Sequence, residues 1–258
     1  HFPEAMLLDT SAQFFTSLAP VTVQVQLSAH GRIAKSISSG NSDLSQSPDT
    51  VSALLATERW LDEWVIGLQL CPWAAASRRS PHMRIVVVEE GDEAPETHEE
   101  MLCEEAAELQ RRALQVDGFA TTLLVFTDDS FLGSPATDTS PASCGTFPAL
   151  WRMGSEVLQE REPGVDLLAF HRHRVDSGPG CRSDPDDPAH YSVRAPLPTL
   201  QLLLASDLHK ARVAWTATGG RGPGAFGLLQ RNKRRLRRMG AEHLHTSLSN
   251  MATGTQPT

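Results

Sequence analysis

The stretch that decides the fold is Thr121-Thr122-Leu123-Leu124-Val125-Phe126-Thr127, a run of apolar and β-branched residues without charge. Such a run is typical of a strand that is buried on both faces. Residues 85–88 and 165–170 form two further short apolar runs. The sequence therefore predicts three strands, at about 84–89, 121–127 and 165–170, that share one sheet.

Helices separate these strands. Thr97 and Glu100 have the spacing of a capping box for a long helix that closes at Gly118, and residues 149–160 indicate a second helix. Short connections from strand to helix to strand favour parallel strands with right-handed crossovers. We therefore predict an α/β fold, a single domain with a small, mostly parallel sheet flanked by helices.

Further helices are predicted outside this β-helix-β part. Apolar residues including Trp60, Trp64 and Leu68 repeat at helical spacing in a helix that should end before Pro72. Residues 197–204 are predicted to begin another helix, opened by Pro198.

The last predicted element, about residues 228–239, is an amphipathic basic helix. Its inward stripe is expected to contain Leu229, Leu236 and Met239, with Lys and Arg side chains around the rest. Asn232 falls on that stripe, so we expect its amide to be buried and hydrogen-bonded to another backbone segment.

Domain boundaries follow from composition. The folded domain is expected to span residues 51–245. Residues 1–50 are rich in Ser, Thr, Ala and Gln and predict either a disordered tail or an organelle transit segment. Residues 246–258 are predicted to be a disordered tail.

Charge and cysteine usage exclude several classes of protein. The net charge of −8 and the pI near 5.7 argue against a general binder of nucleic acid or anionic membranes. No run of residues is apolar enough for a membrane span, and four scattered cysteines do not suggest a disulfide framework or a zinc ribbon. We expect a soluble intracellular protein of the cytosol or an organelle, and its oligomeric state stays open.

Cys71 is the first candidate for chemistry. It follows a helix and precedes Pro72, which favours an extended conformation and removes the next backbone N–H. A thiolate at such a turn could act as a nucleophile. One alternative is a packed thiol, because no basic residue close in sequence lowers its pKa, and another is a contact to a ligand or metal.

His171 is the second candidate, at the end of the third predicted strand. Ligands bind beyond the carboxyl ends of strands in open α/β sheets. The loop that follows carries Asp184, Asp186, Asp187 and His190, enough nitrogen and oxygen atoms for a metal or an acid–base pair. The spacing fits no metal motif, and the alternative is a loop whose aspartates form turns.

Arg194 precedes the predicted helix start at Pro198, where unpaired backbone N–H groups and the side chain together could hold a carboxylate or phosphate. The alternative is a structural arginine that pairs with Asp186 or Asp187. We take Cys71 and His171 as candidate catalytic residues, and Arg194, Tyr191 and Asp187 as candidate substrate-binding residues. No metal site is assigned, and the cofactor is left open.

Three short signatures resemble the domain-of-unknown-function 1415 family, over about residues 57–243. The first is Thr57, Trp60, Val65, Ile66, Gly67, Leu68, Leu70, Cys71, Pro72 and Trp73; the second is Ala169, Phe170, His171, Asp187, Tyr191, Arg194, Pro196, Pro198 and Leu200; the third is Arg231, Asn232, Leu236 and Gly240. The resemblance implies no activity, because none is established for the family.

The chain also departs from this pattern. The family generally has asparagine in place of Gln69 and His190, and a proline and an aromatic residue where Arg172 and Arg174 stand. Other departures are Ala195 for serine and Gln201, Leu204 and Ala205 for His, Arg and Glu. If those polar groups serve a reaction, this member has lost or altered it.

Two functions remain open from the sequence. The first is an enzyme, or an enzyme-derived binder of small molecules, in which Cys71, His171 and Arg194 line one pocket for an anionic ligand. The second is a non-catalytic interaction or regulatory module that uses the basic C-terminal helix.

Overall fold

A computed structural model describes residues 22–26, 48–78, 82–89, 95–116, 118–127, 147–178, 180–217 and 224–253. The strands are β1 Thr22–Gln26, β2 Met83–Val88, β3 Thr121–Phe126, β4 Val165–Phe170 and β5 Thr199–Leu204. They form one five-stranded sheet in the order β1-β2-β3-β5-β4. The three predicted strands are confirmed, and they share one sheet.

The direction of β5 makes the sheet mixed. β1 pairs with β2, and β2 with β3, in parallel, whereas β5 runs antiparallel to both β3 and β4. The prediction of a mostly parallel sheet is therefore wrong.

The error comes from residues 197–204, where a strand replaces the predicted helix. Leu200 and Leu202 are fully buried on either side of the half-buried Gln201, which is the period of a strand. Pro198 lies just before the strand, where its missing N–H costs no ladder bond, and its carbonyl accepts the Phe126 N–H at 2.9 Å.

The helices are α1 Pro48–Arg59, α2 Ala74–Ser77, α3 Pro95–Ala113, α4 Phe147–Arg161, α5 Ala205–Ala217, α6 Gly224–Met239 and α7 Ala241–Thr253. A π-helix, Trp60–Ile66, continues α1 directly, and a 3-10 helix spans Pro188–Val193. The predicted helices before Pro72, between the strands and at the C-terminal side are confirmed. Among the described residues, no helix combines the length and hydropathy that a membrane span requires.

Two apolar layers cover the faces of the sheet. On one face α3 and α4 pack against residues such as Val86 and Leu124. On the other face α1, the π-helix, α6 and α7 pack against residues such as Ile85 and Leu123. Because neighbouring residues of a strand point to opposite faces, the apolar runs in β2 and β3 supply both cores.

The predicted tails differ from the structure in two places. α7 continues to Thr253 with Leu248 and Met251 buried, so the prediction of disorder from residue 246 is wrong for this helix. Its apolar residues Leu244, Leu248 and Met251 recur at helical spacing among polar neighbours. Residues 22–26, within the predicted N-terminal tail, form β1; the rest of that tail before residue 48 lies outside the described residues.

Two side chains, those of Trp151 and Arg174, cover part of the outer edge of the sheet at β4. Trp151 of α4 donates its indole N–H to the carbonyl oxygen of Leu167 at 3.1 Å. The guanidinium of Arg174 lies over the same indole, 4.6 Å from the ring centroid.

Candidate functional site

The π-helix is tied to the 3-10 helix through two tryptophans. The indole nitrogen of Trp60 donates to the carbonyl oxygen of Arg194 at 3.1 Å, and that of Trp64 donates to the carbonyl oxygen of Tyr191 at 3.3 Å. Both indoles are buried, so each polar N–H has the partner that its burial demands. These two tryptophans, of which Trp60 belongs to the first signature, therefore join two segments of the fold.

The turn that follows the π-helix positions Cys71. Gln69 has a positive φ of 49°, and its carbonyl accepts a bond from Arg231. The next carbonyl, that of Leu70, accepts the side-chain N–H of Asn232 at 2.6 Å, so the predicted burial and bonding of Asn232 are confirmed. The first and third signatures meet at this turn.

Cys71 itself follows Leu70 directly and is half-buried. Burial raises the pKa of its thiol, although the backbone N–H groups of Trp73 and Ala74 act in the opposite direction. At neutral pH the sulfur is therefore protonated, which disfavours attack as a thiolate.

His171 lies directly after β4, with its ring edge-to-face on Phe147 at 5.6 Å, at the start of α4. Its Nδ1 accepts the backbone N–H of His173 at 3.2 Å, so the proton of the neutral ring resides on Nε2. Burial, together with the positive charges of Arg174, His173 and Arg194, lowers the pKa of His171 to about 4. His171 is consequently a neutral hydrogen-bond donor at neutral pH.

Arg194 and Tyr191 are both buried in the segment around the 3-10 helix. Arg194 donates from Nε to the carbonyl of Arg174 at 3.1 Å and from a terminal nitrogen to that of Pro185 at 2.9 Å. Its guanidinium lies 4.4 Å from the centroid of the Tyr191 ring. The expected helix start beside Arg194 is replaced by a strand, and its partners are carbonyls rather than the side chains of Asp186 or Asp187.

Asp187 connects the 3-10 helix to α6. It is buried, accepts the N–H of Ala189 at the start of the 3-10 helix, and accepts two bonds from Arg237 of α6, at 2.9 and 2.5 Å. The Arg237 guanidinium holds the pKa of the Asp187 carboxyl far below its usual range. Within the described residues, no three His, Cys, Asp or Glu side chains converge as metal ligands would.

The aspartate-rich segment, residues 172–187, is here called the acidic loop. Asp176 caps the N–H of Gly178 at 2.8 Å, and Asp184 caps that of Asp186 at 3.0 Å, which are turn-forming bonds. His190 is fully buried; its Nδ1 accepts the Asp176 N–H at 3.0 Å, and its Nε2 lies 2.8 Å from the Asp184 carbonyl. The loop is thus built on its own polar side chains.

α6 turns two of its cations inward against this loop. Lys233 is fully buried and contacts Asp176 at 3.0 Å, and Arg237 pairs with Asp187. Sequence reasoning placed both on the solvated side, because charged side chains are rarely buried unless they are paired. Lys233 follows Leu229 by four residues and Arg237 follows Lys233 by four, so the three lie on one side of the helix.

The described contacts join some of the candidate residues and leave others apart. The charge of Arg194 contributes to the lowered pKa of His171, and Arg194 stacks on Tyr191. The contacts described for Cys71 are with the turn around Trp73 and Ala74. A cavity of about 720 Å³ between α3 and α5, and a groove of about 220 Å³ beside the π-helix and α7, are lined by other residues.

Comparison with known proteins identifies the family of this chain. No curated protein and no solved structure matches the chain. Residues 52–246 match the family described as Protein of unknown function (DUF1415), a span that contains all three signatures. The chain therefore belongs to the DUF1415 family.

Proposed function

We propose that this protein binds a small anionic molecule at the carboxyl edge of its sheet, with His171 as a hydrogen-bond donor and Arg174 and Arg194 as the source of positive charge. The observation that carries the proposal is the setting of His171. Its Nδ1 is held by the backbone of His173, which leaves Nε2–H as a donor in a cluster of arginines. Other polar signature residues, such as Trp60, Asp187 and Asn232, have partners inside the fold.

The charge balance around His171 supports an anion. Arg194 donates to two backbone carbonyls and stacks on Tyr191, and Arg174 stacks on Trp151. Asp176, which acts on Arg174, already holds Lys233. Carbonyls and rings do not cancel a full charge, so a positive potential remains at this edge of an otherwise acidic protein.

The position in the fold also supports a ligand site. His171 follows the carboxyl end of β4, the place where α/β sheets commonly bind ligands. Phe147, which its ring contacts, begins the 15-residue helix α4. The partial positive charge at that helix start has the same sign as the arginines, so it would also attract an anion.

The chemistry favours binding over covalent catalysis. A histidine that stays neutral down to about pH 4 is a weak base at neutral pH, and it can donate from Nε2 without carrying charge. The thiol of Cys71 is protonated, and no described contact connects it to His171. The assignment of Cys71 as a nucleophile therefore stays a prediction that the geometry does not favour.

The packing of α6 weakens the alternative of a module that acts through a basic helix. Lys233 and Arg237 are used against the acidic loop, and Arg231 is used against the carbonyl of Gln69. The exposed charges that remain on α6, such as Arg234 and Arg238, are fewer than its basic residues.

NMR titration of His171 tests the proposal, with inorganic phosphate and malonate as probe anions. A bound anion opposes the charge of the arginines, so we expect either probe to raise the pKa of His171 from about 4 towards its ordinary value. Arg174→Gln should raise the pKa without a probe and weaken the response to it.

Arg234→Gln is the matched control, because Arg234 is an exposed arginine of α6 whose loss should leave the response unchanged. If neither probe shifts the His171 resonances of the wild-type protein at millimolar concentration, the anion site is refuted.

A further inference from the structure

A thiol, a carboxylate and an amine meet where the acidic loop packs on α6. The Sγ of Cys181 and the Nζ of Lys233 contact the same oxygen, Oδ2 of Asp176, at 3.1 and 3.0 Å. Lys233 also hydrogen-bonds to Cys181. The lysine side chain is fully buried and the cysteine is half-buried, so the two groups are held together with little access for water.

The resting state of this cluster follows from its environment. Burial raises the pKa of Cys181, and the bond from Lys233 opposes this only in part. Burial acts to lower the pKa of Lys233, but its bonds to Cys181 and Asp176 outweigh burial, and the pKa is raised. At neutral pH the cluster is therefore a thiol, a carboxylate and an ammonium group, which do not react with one another.

We propose that oxidation of Cys181 by a hydroperoxide leads to a covalent sulfur–nitrogen bond between Cys181 and Lys233. In the first step Sγ attacks the peroxide oxygen: an S–O bond forms, the O–O bond breaks, and the sulfur is oxidised to a sulfenic acid. The peroxide is reduced to water, or to an alcohol if it is organic, and this product carries away the thiol proton. The protein thus gains one oxygen atom at Cys181.

The second step needs no further oxidant. Lys233 gives one proton to Asp176, and its neutral amine attacks the oxidised sulfur. The S–N bond forms, the S–OH bond breaks, and the hydroxyl group leaves as water with the second amine proton. Starting from thiol and neutral amine, the product has lost two hydrogen atoms.

Geometry selects lysine as the trapping group. The amine and the sulfur contact the same oxygen of Asp176, so they are held close together and react at a high effective concentration. The raised pKa of Cys181 slows the first step relative to an exposed thiol, so selectivity arises in the second. The bond would tie the acidic loop covalently to α6.

Peptide mass spectrometry of the full chain after treatment with hydrogen peroxide tests this proposal. We expect a crosslinked pair of peptides containing Cys181 and Lys233, lighter by two hydrogen atoms than the sum of the reduced peptides and released by dithiothreitol. Lys210 is an internal control, because it pairs with Asp207 at 3.0 Å and should stay unmodified.

Two variants separate the steps. Lys233→Arg keeps a positive charge beside Asp176 but should not give the crosslink, so Cys181 should proceed to sulfinic acid. Asp176→Asn keeps both reacting groups, and we expect a lower yield because the proton acceptor is lost.

The wild-type digest alone decides the matter if a variant fails to fold. Sulfinic or sulfonic acid at Cys181 with an unmodified Lys233 would overturn the proposal. So would a Cys181 that resists peroxide in the folded protein while the same cysteine reacts in the unfolded chain.

Discussion

Two regions of this protein are rich in charge, and they use it differently. Where the acidic loop meets α6, Lys233 and Arg237 each contact a carboxylate, and the charges cancel inside the fold. At the carboxyl edge around His171, Arg174 and Arg194 contact rings and carbonyls instead. The identity of the partner, rather than the number of charged residues, thus distinguishes a structural contact from a place where an anion can bind.

The largest expected effect comes from removing a cation at the loop–α6 interface. Lys233→Ala removes a fully buried cation and leaves the half-buried Asp176 without it, and we expect a loss of about 3–5 kcal/mol in the free energy of unfolding. Urea denaturation measures this loss. Arg234→Ala, one residue away on the exposed side of α6, should change stability by less than about 0.5 kcal/mol. Equal urea midpoints for the two variants would remove the contrast between the regions.

A smaller effect is expected at the turn behind Cys71. Asn232→Leu removes the donor that the Leu70 carbonyl uses at 2.6 Å and strands a buried acceptor. We expect a cost of about 1–3 kcal/mol, measured by thermal or urea unfolding. An unchanged melting temperature would mean that the join between the first and third signatures contributes little to stability.

At neutral pH the smallest effect is expected at His171, and it grows as pH falls. The folded protein resists protonation of His171 down to about pH 4, whereas the unfolded chain takes up that proton near the ordinary value of about 6.5. Stability should therefore fall as pH drops between those values, and His171→Gln should remove this part of the fall.

Asp187 acts in the same sense at lower pH. Its pKa is depressed in the folded state, so its contribution is present above the ordinary value of about 3.9 and is lost as pH falls below it. Unfolding midpoints of the wild type and of His171→Gln, measured from pH 7 to 3, should change relative to each other between about pH 6.5 and pH 4 and run parallel below that window. Curves that stay parallel throughout would contradict the low pKa of His171.

The central strands could be predicted because their sequences carry the signal by themselves. The run from Thr121 to Phe126 is buried at every position, and few other structures accommodate such a segment. β5 could not be predicted in the same way, because leucine also favours helices and Pro198 is a common first residue of a helix. Pairing with β3 and β4, which depends on residues far away in sequence, decides its structure.

The same distinction between local and long-range signals applies to the candidate site. The burial of Asn232 was predictable from helical spacing alone, because its own helix supplies the pattern. The contact between Asp176 and Lys233 was not, because it depends on how a long loop folds back on α6. The function of His171 stays a prediction, since its position at the end of β4 states where a ligand could bind and not which ligand it is.

The indole of Trp151 has a consequence for assembly. Exposed strand edges can recruit a strand from another molecule, because their outward N–H and carbonyl groups have no partners. At β4 the outward carbonyl of Leu167 is already taken by the Trp151 N–H, and Arg174 covers that indole. A second copy that tried to extend the sheet at this edge would have to break that bond and displace both side chains. The tryptophan thus protects this edge of the sheet against strand-by-strand aggregation.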